Sequence, residues 1–351
     1  MRKSALLLGV FFYCLNGYAQ AFEHTKDKLI QQQIFLDEKN FSPGKIDGKN
    51  GKFFQQALQY YKLSNPLEEV ISPTPYTFLR LNPLFFSNES NFSLKDDNQN
   101  KFSQKSSYCC TSKLLQAIVP SSPYTFYTIK IGDKNYIGSV PEKISMQAKQ
   151  KKLLYANFAE FIAERFHTDR NFLKKLNPNT NLNTLKVNDK LRVPNVTPFL
   201  IENLTQKVLY KSNQSLKNRV IKINTQAKIL LVLDNNKIIA FFPITPGSKE
   251  LPAPKGTWKI KSIIYLPWFR YDKEMLLKGK RSANYYNLPP GANNPVGVVW
   301  MSLNKKGIGI HGTNESETIG RSTSHGCIRL TNWDIVKLSQ LIAPGVNVEI
   351  N

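Results

Sequence analysis

From about Asn218 to the end of the chain, short apolar and β-branched runs are parted by turn formers, and that rhythm restricts this part to a mostly β domain. Leu230 to Leu233 and Ile238 to Phe242 flank Asp234-Asn235-Asn236. These read as a β-hairpin, because asparagine tolerates the left-handed backbone of a tight turn. Further turn signals stand at Pro246-Gly247, Lys255-Gly256, Pro289-Pro290-Gly291 and Pro295-Val296-Gly297. One helix is expected near the end: Asn332 is placed to cap it, Ile335, Leu338 and Ile342 share a face, and Pro344-Gly345 stops it. Val346, Val348 and Ile350 then alternate as a closing strand.

The earlier part of the chain has helical texture. Leu29, Ile30 and Ile34, then Phe53, Ala57, Leu58 and Tyr61, fall at helical spacing on either side of a turn-rich connection from Phe41 to Gly51. Two short helices around a tight turn are expected. Asn65 to about Pro123 is rich in Ser, Asn, Pro and Lys with little periodicity, and reads as a long linker or irregular insertion in which apolar clusters such as Leu79 to Phe86 pack down. Beyond it, Phe158, Phe161, Ile162 and Phe166 form one helical face and Phe172, Leu173 and Leu176 another, which Asn177-Pro178 ends. His167, at the end of the first of these, is expected to face solvent. With 351 residues, 41% of them apolar, the chain has material for two or three domains.

Arg2 and Lys3 precede an apolar run from Ala5 to about Leu15, followed by Ala19-Gln20-Ala21, the pattern of a secretory signal peptide over residues 1–21. The run is shorter than the ~20 residues a membrane span requires, although an uncleaved anchor is the alternative reading. Cys14 lacks the small preceding residue that lipoprotein processing prefers. Lys and Arg number 48 against 25 Asp and Glu, and removing residues 1–21 lowers the formal charge from +23 to +21. Such an excess suits an anionic polymer or surface, and export argues against nucleic acid. Cys109, Cys110 and Cys327 remain after cleavage, an odd number that leaves at least one thiol free or paired between chains. A bond between the adjacent Cys109 and Cys110 would be a strained vicinal disulfide; two surface thiols are the alternative.

Two of the four histidines lie near Cys327: His311, 16 residues before it, and His325, two before it. The local strings are Gly309-Ile310-His311-Gly312-Thr313 and Ser324-His325-Gly326-Cys327-Ile328-Arg329-Leu330. The thiolate is the reactive form of cysteine, and an imidazole beside it can take its proton or hold it as an ion pair. Two histidines and a cysteine could instead bind zinc, but no fourth ligand or paired-cysteine spacing is evident. An inert buried thiol is a third reading.

His-Gly-Thr followed by Ser-His-Gly-Cys-Ile-Arg resembles the signature of the L,D-transpeptidase catalytic domain, the YkuD domain. The resemblance extends in family order over residues 217–351. Ile221 to Leu233 resembles its first hairpin, Pro252-Ala253-Pro254-Lys255-Gly256-Thr257-Trp258 its strand entry, and Leu288 to Gly297 its Pro-Gly-Asn loop. Ala253 stands where the family often has threonine. The resemblance implies Cys327 as nucleophile and His311 as proton acceptor and donor. A tetrapeptide stem would be held as a thioester with loss of D-alanine, then transferred to a second stem as a 3-3 cross-link. His325 is given a supporting role. Backbone N–H groups around Gly326 are candidates for the oxyanion, with Ser324 and Gly312 supporting. Arg329 would grip a stem carboxylate or brace its loop, and Tyr285, Tyr286 and Trp300 would line the donor cleft or fill the core. No cofactor or metal is implied, while acylation by carbapenems is. Water as acceptor would make the protein an L,D-carboxypeptidase, and a protein lysine would make it an anchoring enzyme. A non-catalytic peptidoglycan-binding protein is the reading from another class.

Two further resemblances complete a multidomain α+β expectation. Residues 22–64, with Phe41-Ser42-Pro43-Gly44-Lys45-Ile46-Asp47-Gly48, resemble a small helical peptidoglycan-binding module. Residues 124–197, with Leu176-Asn177-Pro178 and Leu185 to Pro194, resemble a βααβ LysM module, which binds N-acetylglucosamine-containing glycans. The usual Gly-Asp-Thr opening is missing there, and Thr128 to Asp133 stands as its displaced remnant. The partners implied are peptidoglycan stems and glycan strands outside the cytoplasm, with a periplasmic setting expected and no membrane span left after signal cleavage.

Overall fold

A computed structural model describes residues 26–66, 122–248, 251–321 and 326–351. The expected signal peptide, Cys109, Cys110, Ser324, His325 and nearly all of the expected linker lie outside the described residues. The first described elements are helix α1 (residues 26–38) and helix α2 (Lys52–Ser64). Ile30 and Ile34 of α1 are buried as their spacing predicts, and on α2 the buried aromatics are Phe54 and Tyr61 rather than Phe53.

The middle module pairs strand β1 (Tyr124–Thr128) antiparallel with β2 (Lys190–Pro194) around helices α3 (Ile144–Gln147), α4 (Phe158–Arg165) and α5 (Arg170–Leu176). A strand-helix-helix-strand frame results, with the short α3 inserted into it. Asn157 accepts the Glu160 N–H to start α4, and Asp169 accepts the Phe172 N–H at 2.7 Å to start α5.

The rest of the chain builds the main sheet from β3 (Lys207–Leu209), β4 (Arg219–Asn224), β5 (Ile229–Asp234), β6 (Lys237–Pro243) and β7 (Gly256–Tyr265). A side ribbon of β8 (Phe269–Tyr271) and β9 (Tyr286–Leu288) brackets helix α6 (Lys273–Lys278). Then come β10 (Val299–Leu303), β11 (Gly309–His311), β12 (Ile328–Arg329), helix α7 (Asn332–Leu341) and β13 (Asn347–Ile350). The path runs β12-β11-β10-β7-β13-β4-β5-β6, with β3 added beside β7. Thr245, just past β6, exchanges both backbone hydrogen bonds with Arg329 of β12 at 2.9 Å, so the sheet curls until its two ends meet. The β5–β6 turn carries Asn235 and Asn236 at φ 48° and 64°, the left-handed pair expected of that dipeptide. One strand arrives unannounced: β3 joins this sheet from before residue 217.

Both faces of β5 are covered, which explains its unbroken apolar run. Leu230 and Val232 point into the main core, while Ile229 and Leu231 pack with Phe241 against Phe35, Phe41 and Tyr61 of the helical pair. Phe35 and Phe41 meet the Tyr61 ring edge-on at 5.2 and 5.1 Å. The helical pair is therefore a lid on the outer face of the sheet.

Two sequence expectations are corrected at the junction of the three parts. Thr331, not Asn332, caps α7, accepting the Asp334 N–H at 3.2 Å. Asn332 is instead fully buried. His167 does not face solvent: it is 2% exposed, stacks on Trp333 at 5.4 Å, and its Nδ1 lies 2.9 Å from Asp37 Oδ2. The reason is that α1 closes over the end of α4. Lys337 of α7 donates to the same Asp37 oxygen at 2.6 Å. Burial alone would raise the Asp37 carboxyl, but the Lys337 and His167 partners outweigh it and hold Asp37 well below the usual carboxylate range. No helix among the described residues is long and apolar enough to cross a membrane.

Candidate active site

Strands β11 and β12 run parallel, with Ile310 opposite Ile328 and His311 opposite Arg329. Residues opposite one another share a face of the sheet, and side chains alternate along a strand. Cys327 stands immediately before β12 and lines the same cleft as Arg329 and His311. On the other side of His311, Trp300 of β10 is its partner, and the two rings stack at 5.1 Å with 18° between planes. The row continues through Ile264 of β7 to Val208 of β3. All of these residues line one cleft of about 870 Å³.

The electrostatics of the pair follow from burial. His311 is 5% exposed, and its Nδ1 lies 2.6 Å from the Gly312 carbonyl oxygen. That oxygen can only accept, so Nδ1 carries the proton and Nε2 keeps its lone pair. Burial pushes the imidazole down to about 4; the Gly312 bond opposes this and the Arg329 charge adds to it. Cys327 is half-buried, with Sγ 3.8 Å from the Gly307 carbonyl oxygen. Burial pushes its thiol up to about 11, against a backbone hydrogen bond from Gly309 and the Arg329 charge, which both favour the thiolate. A neutral thiol beside a neutral imidazole is the resting state these shifts describe.

The other expected site residues separate into two groups. Gly326 is buried at φ 96°, a left-handed angle that glycine adopts without strain, and it turns the chain into Cys327. Gly312 is buried beside His311, and Trp300 and Arg329 line the cleft. Tyr285 and Tyr286 stand exposed on the β8–β9 ribbon and do not line this cleft; Arg270 stacks over Tyr285 at 3.8 Å. Sequence reasoning missed a buried polar shell under the His311 loop. Asn332 Oδ1 accepts the Val298 N–H at 3.1 Å, and its Nδ2 donates to Glu164 Oε1 at 3.0 Å. Tyr155 donates to the other Glu164 oxygen at 2.5 Å, and burial pushes the Glu164 carboxyl up to about 8. Nothing in the local sequence marks Glu164, because its partner Asn332 comes from another module.

The same part of the chain is similar to known proteins. Residues 218–350 match the family profile described as YkuD, L,D-transpeptidase catalytic domain. Bacillus licheniformis YkuD, which carries an L,D-transpeptidase name, is 25% identical over 191 residues, covering 54% of this chain and 92% of that protein. YkuD of Bacillus subtilis strain 168, named likewise, is 32% identical over 131 residues, covering 37% of this chain and 65% of that protein. The crystal structure of L,D-transpeptidase 3 from Mycobacterium tuberculosis in complex with a faropenem-derived adduct aligns at TM-score 0.32 and 14% identity, covering 48% of this chain and 76% of that one. Over residues 218–350 the chain is thus similar to the L,D-transpeptidase catalytic domain of the YkuD family.

Proposed function

We propose that the protein is a peptidoglycan L,D-transpeptidase that forms 3-3 cross-links through a thioester on Cys327. In this reading Cys327 Sγ attacks the carbonyl carbon of the diamino-acid residue in a tetrapeptide stem while its proton passes to His311 Nε2. Backbone N–H groups at Gly326 and Cys327 receive the oxyanion; a donor of this kind typically contributes ~100-fold or more in rate. As the bond to D-alanine breaks, His311 returns the proton to the leaving amine, and a thioester remains. The side-chain amine of a second stem then attacks, gives its proton to His311, and releases the thiol. The observation that carries this reading is that His311 of β11 and Cys327, immediately before the parallel neighbour β12, line one open cleft.

The remaining parts fit the same setting. Arg329 in the cleft suits a stem carboxylate, the middle module would meet glycan, and the +23 charge of the whole chain favours an acidic polymer. Work on peptidoglycan implies export of the chain. Incubation with disaccharide-tetrapeptide, read by mass spectrometry, tests the reading: a dimer lacking one D-alanine supports it. A tripeptide product would make water the acceptor, and unchanged substrate would leave only binding. Cys327→Ala should abolish both turnover and the mass increase on carbapenem treatment; surviving turnover overturns the thioester.

A further inference from the structure

Between β1 and α4 the middle module makes an excursion, residues 138–152, that its strand-helix-helix-strand frame does not need. The excursion is fixed to the sheet domain where it ends. The Leu153 N–H donates to the Pro290 carbonyl at 2.9 Å, and the Leu153 carbonyl accepts from the Asn293 N–H at 3.0 Å. The Asn293 side chain donates to the Leu154 carbonyl at 2.7 Å. Contact is so close at Gly291, φ 148°, that a Cβ there would stand 2.0 Å from the Leu153 carbonyl oxygen. From this anchor the chain places α3 against β9. Val140, Ile144 and Gln147 line the same cleft as Cys327 and His311. Val140 and Ile144 are half-buried, so each leaves apolar surface open to what enters.

We infer that the middle module supplies a wall of the substrate cleft, with Val140 and Ile144 as specificity-determining residues that select which peptide strand reaches Cys327. The inference rests on the acyl-transfer reading for its substrate but not for its geometry. Trp268, Phe269, Met275 and Leu276 complete an apolar lining on the catalytic side, while Lys207 and Arg281 add positive charge to it. The ligand this wall fits is an extended peptide with an aliphatic stretch and a carboxylate, held between two modules rather than on one. Pocket sites at module boundaries are a common solution, because neither half alone has to enclose the ligand. Here the boundary is fixed by backbone hydrogen bonds, so the wall is in place before substrate arrives.

Ile144 and Val140 are only half-buried, which makes replacement compatible with folding. Full-length wild type, Ile144→Trp and Val140→Trp would be treated with iodoacetamide and, separately, with fluorescein maleimide, and labelling read at the Cys327 peptide by mass spectrometry. The expected result is an unchanged iodoacetamide rate and a bulky-to-small rate ratio lowered by about fivefold or more in each variant. With disaccharide-tetrapeptide, KM should rise more than kcat falls. An unchanged ratio in both variants at wild-type thermal midpoint overturns the inference. So does a wild-type Cys327 that the small reagent fails to label even at about pH 10, where the thiolate is populated. Lowered labelling ratios in the variants, with no muropeptide product from the wild type, would instead overturn the proposed reaction and leave the wall standing.

Discussion

Raising the pH tests the resting state of the nucleophile directly. With burial pushing the Cys327 thiol up to about 11 and the His311 imidazole down to about 4, both groups are expected to rest neutral at pH 7. A thiol of pKa about 11 is ionised to only ~0.01% at pH 7, and each further pH unit multiplies the thiolate roughly tenfold. An ordinary cysteine at about 8.5 is ~300 times more ionised at pH 7. Alkylation of Cys327 by iodoacetamide, followed by peptide-resolved mass spectrometry from about pH 6 to 10, should therefore climb without a plateau and stay well below free cysteine. His311→Gln should leave that profile within about threefold, since a neutral imidazole does little to stabilise a resting thiolate, yet it should lower turnover by ~100-fold or more. An alkylation plateau with a midpoint below about pH 7, abolished in His311→Gln, would refute the reasoning and show an ion pair at rest.

Three other outcomes are expected. The Glu164 carboxyl is raised to about 8 in the folded protein, so between about pH 4.5 and 8 the native state holds more protons than the unfolded one, and stability falls by several kcal/mol as pH rises through that window. Urea unfolding at its two ends should show this, and Glu164→Gln should flatten it. Gly291→Ala drives a methyl into the Leu153 carbonyl from a left-handed backbone, and should cost about 3 kcal/mol, read as a lowered thermal midpoint and faster proteolysis between residues 138 and 155. His167→Leu removes one partner of the buried Asp37 and should cost about 3 kcal/mol by urea denaturation, whereas Lys222→Ala on the partly exposed Lys222–Glu349 pair should cost under about 1.

Local rules made the β-hairpin at Asn235-Asn236, the α4 and α5 faces and the closing strand legible in the sequence, since each depends on neighbours a few residues away. The Cys327–His311 pairing was legible as a motif, and the pairing of β11 with β12 accounts for it afterwards. What stayed hidden depends on contacts between distant segments. The unbroken run Ile229 to Leu233 shows that both faces are covered, but not that α1 and α2 cover the outer one. Asn332 looks like a cap because it precedes a helix; its amide is taken instead by Glu164 and Val298. His167 looks exposed because it ends a short helix, and only the arrival of α1 from the other end of the chain buries it. The cleft wall at Val140 and Ile144 was hidden for the same reason, as α3 is a four-residue turn with no periodic signal of its own.

The bond between Lys337 and Asp37 joins positions 300 residues apart. Helix α1 thus cannot reach its final partner until nearly the whole polypeptide has been synthesised, and closing so long a loop is entropically slow. Until then the helical pair lacks the anchor that fixes it to α7, so its docking is a late event of folding.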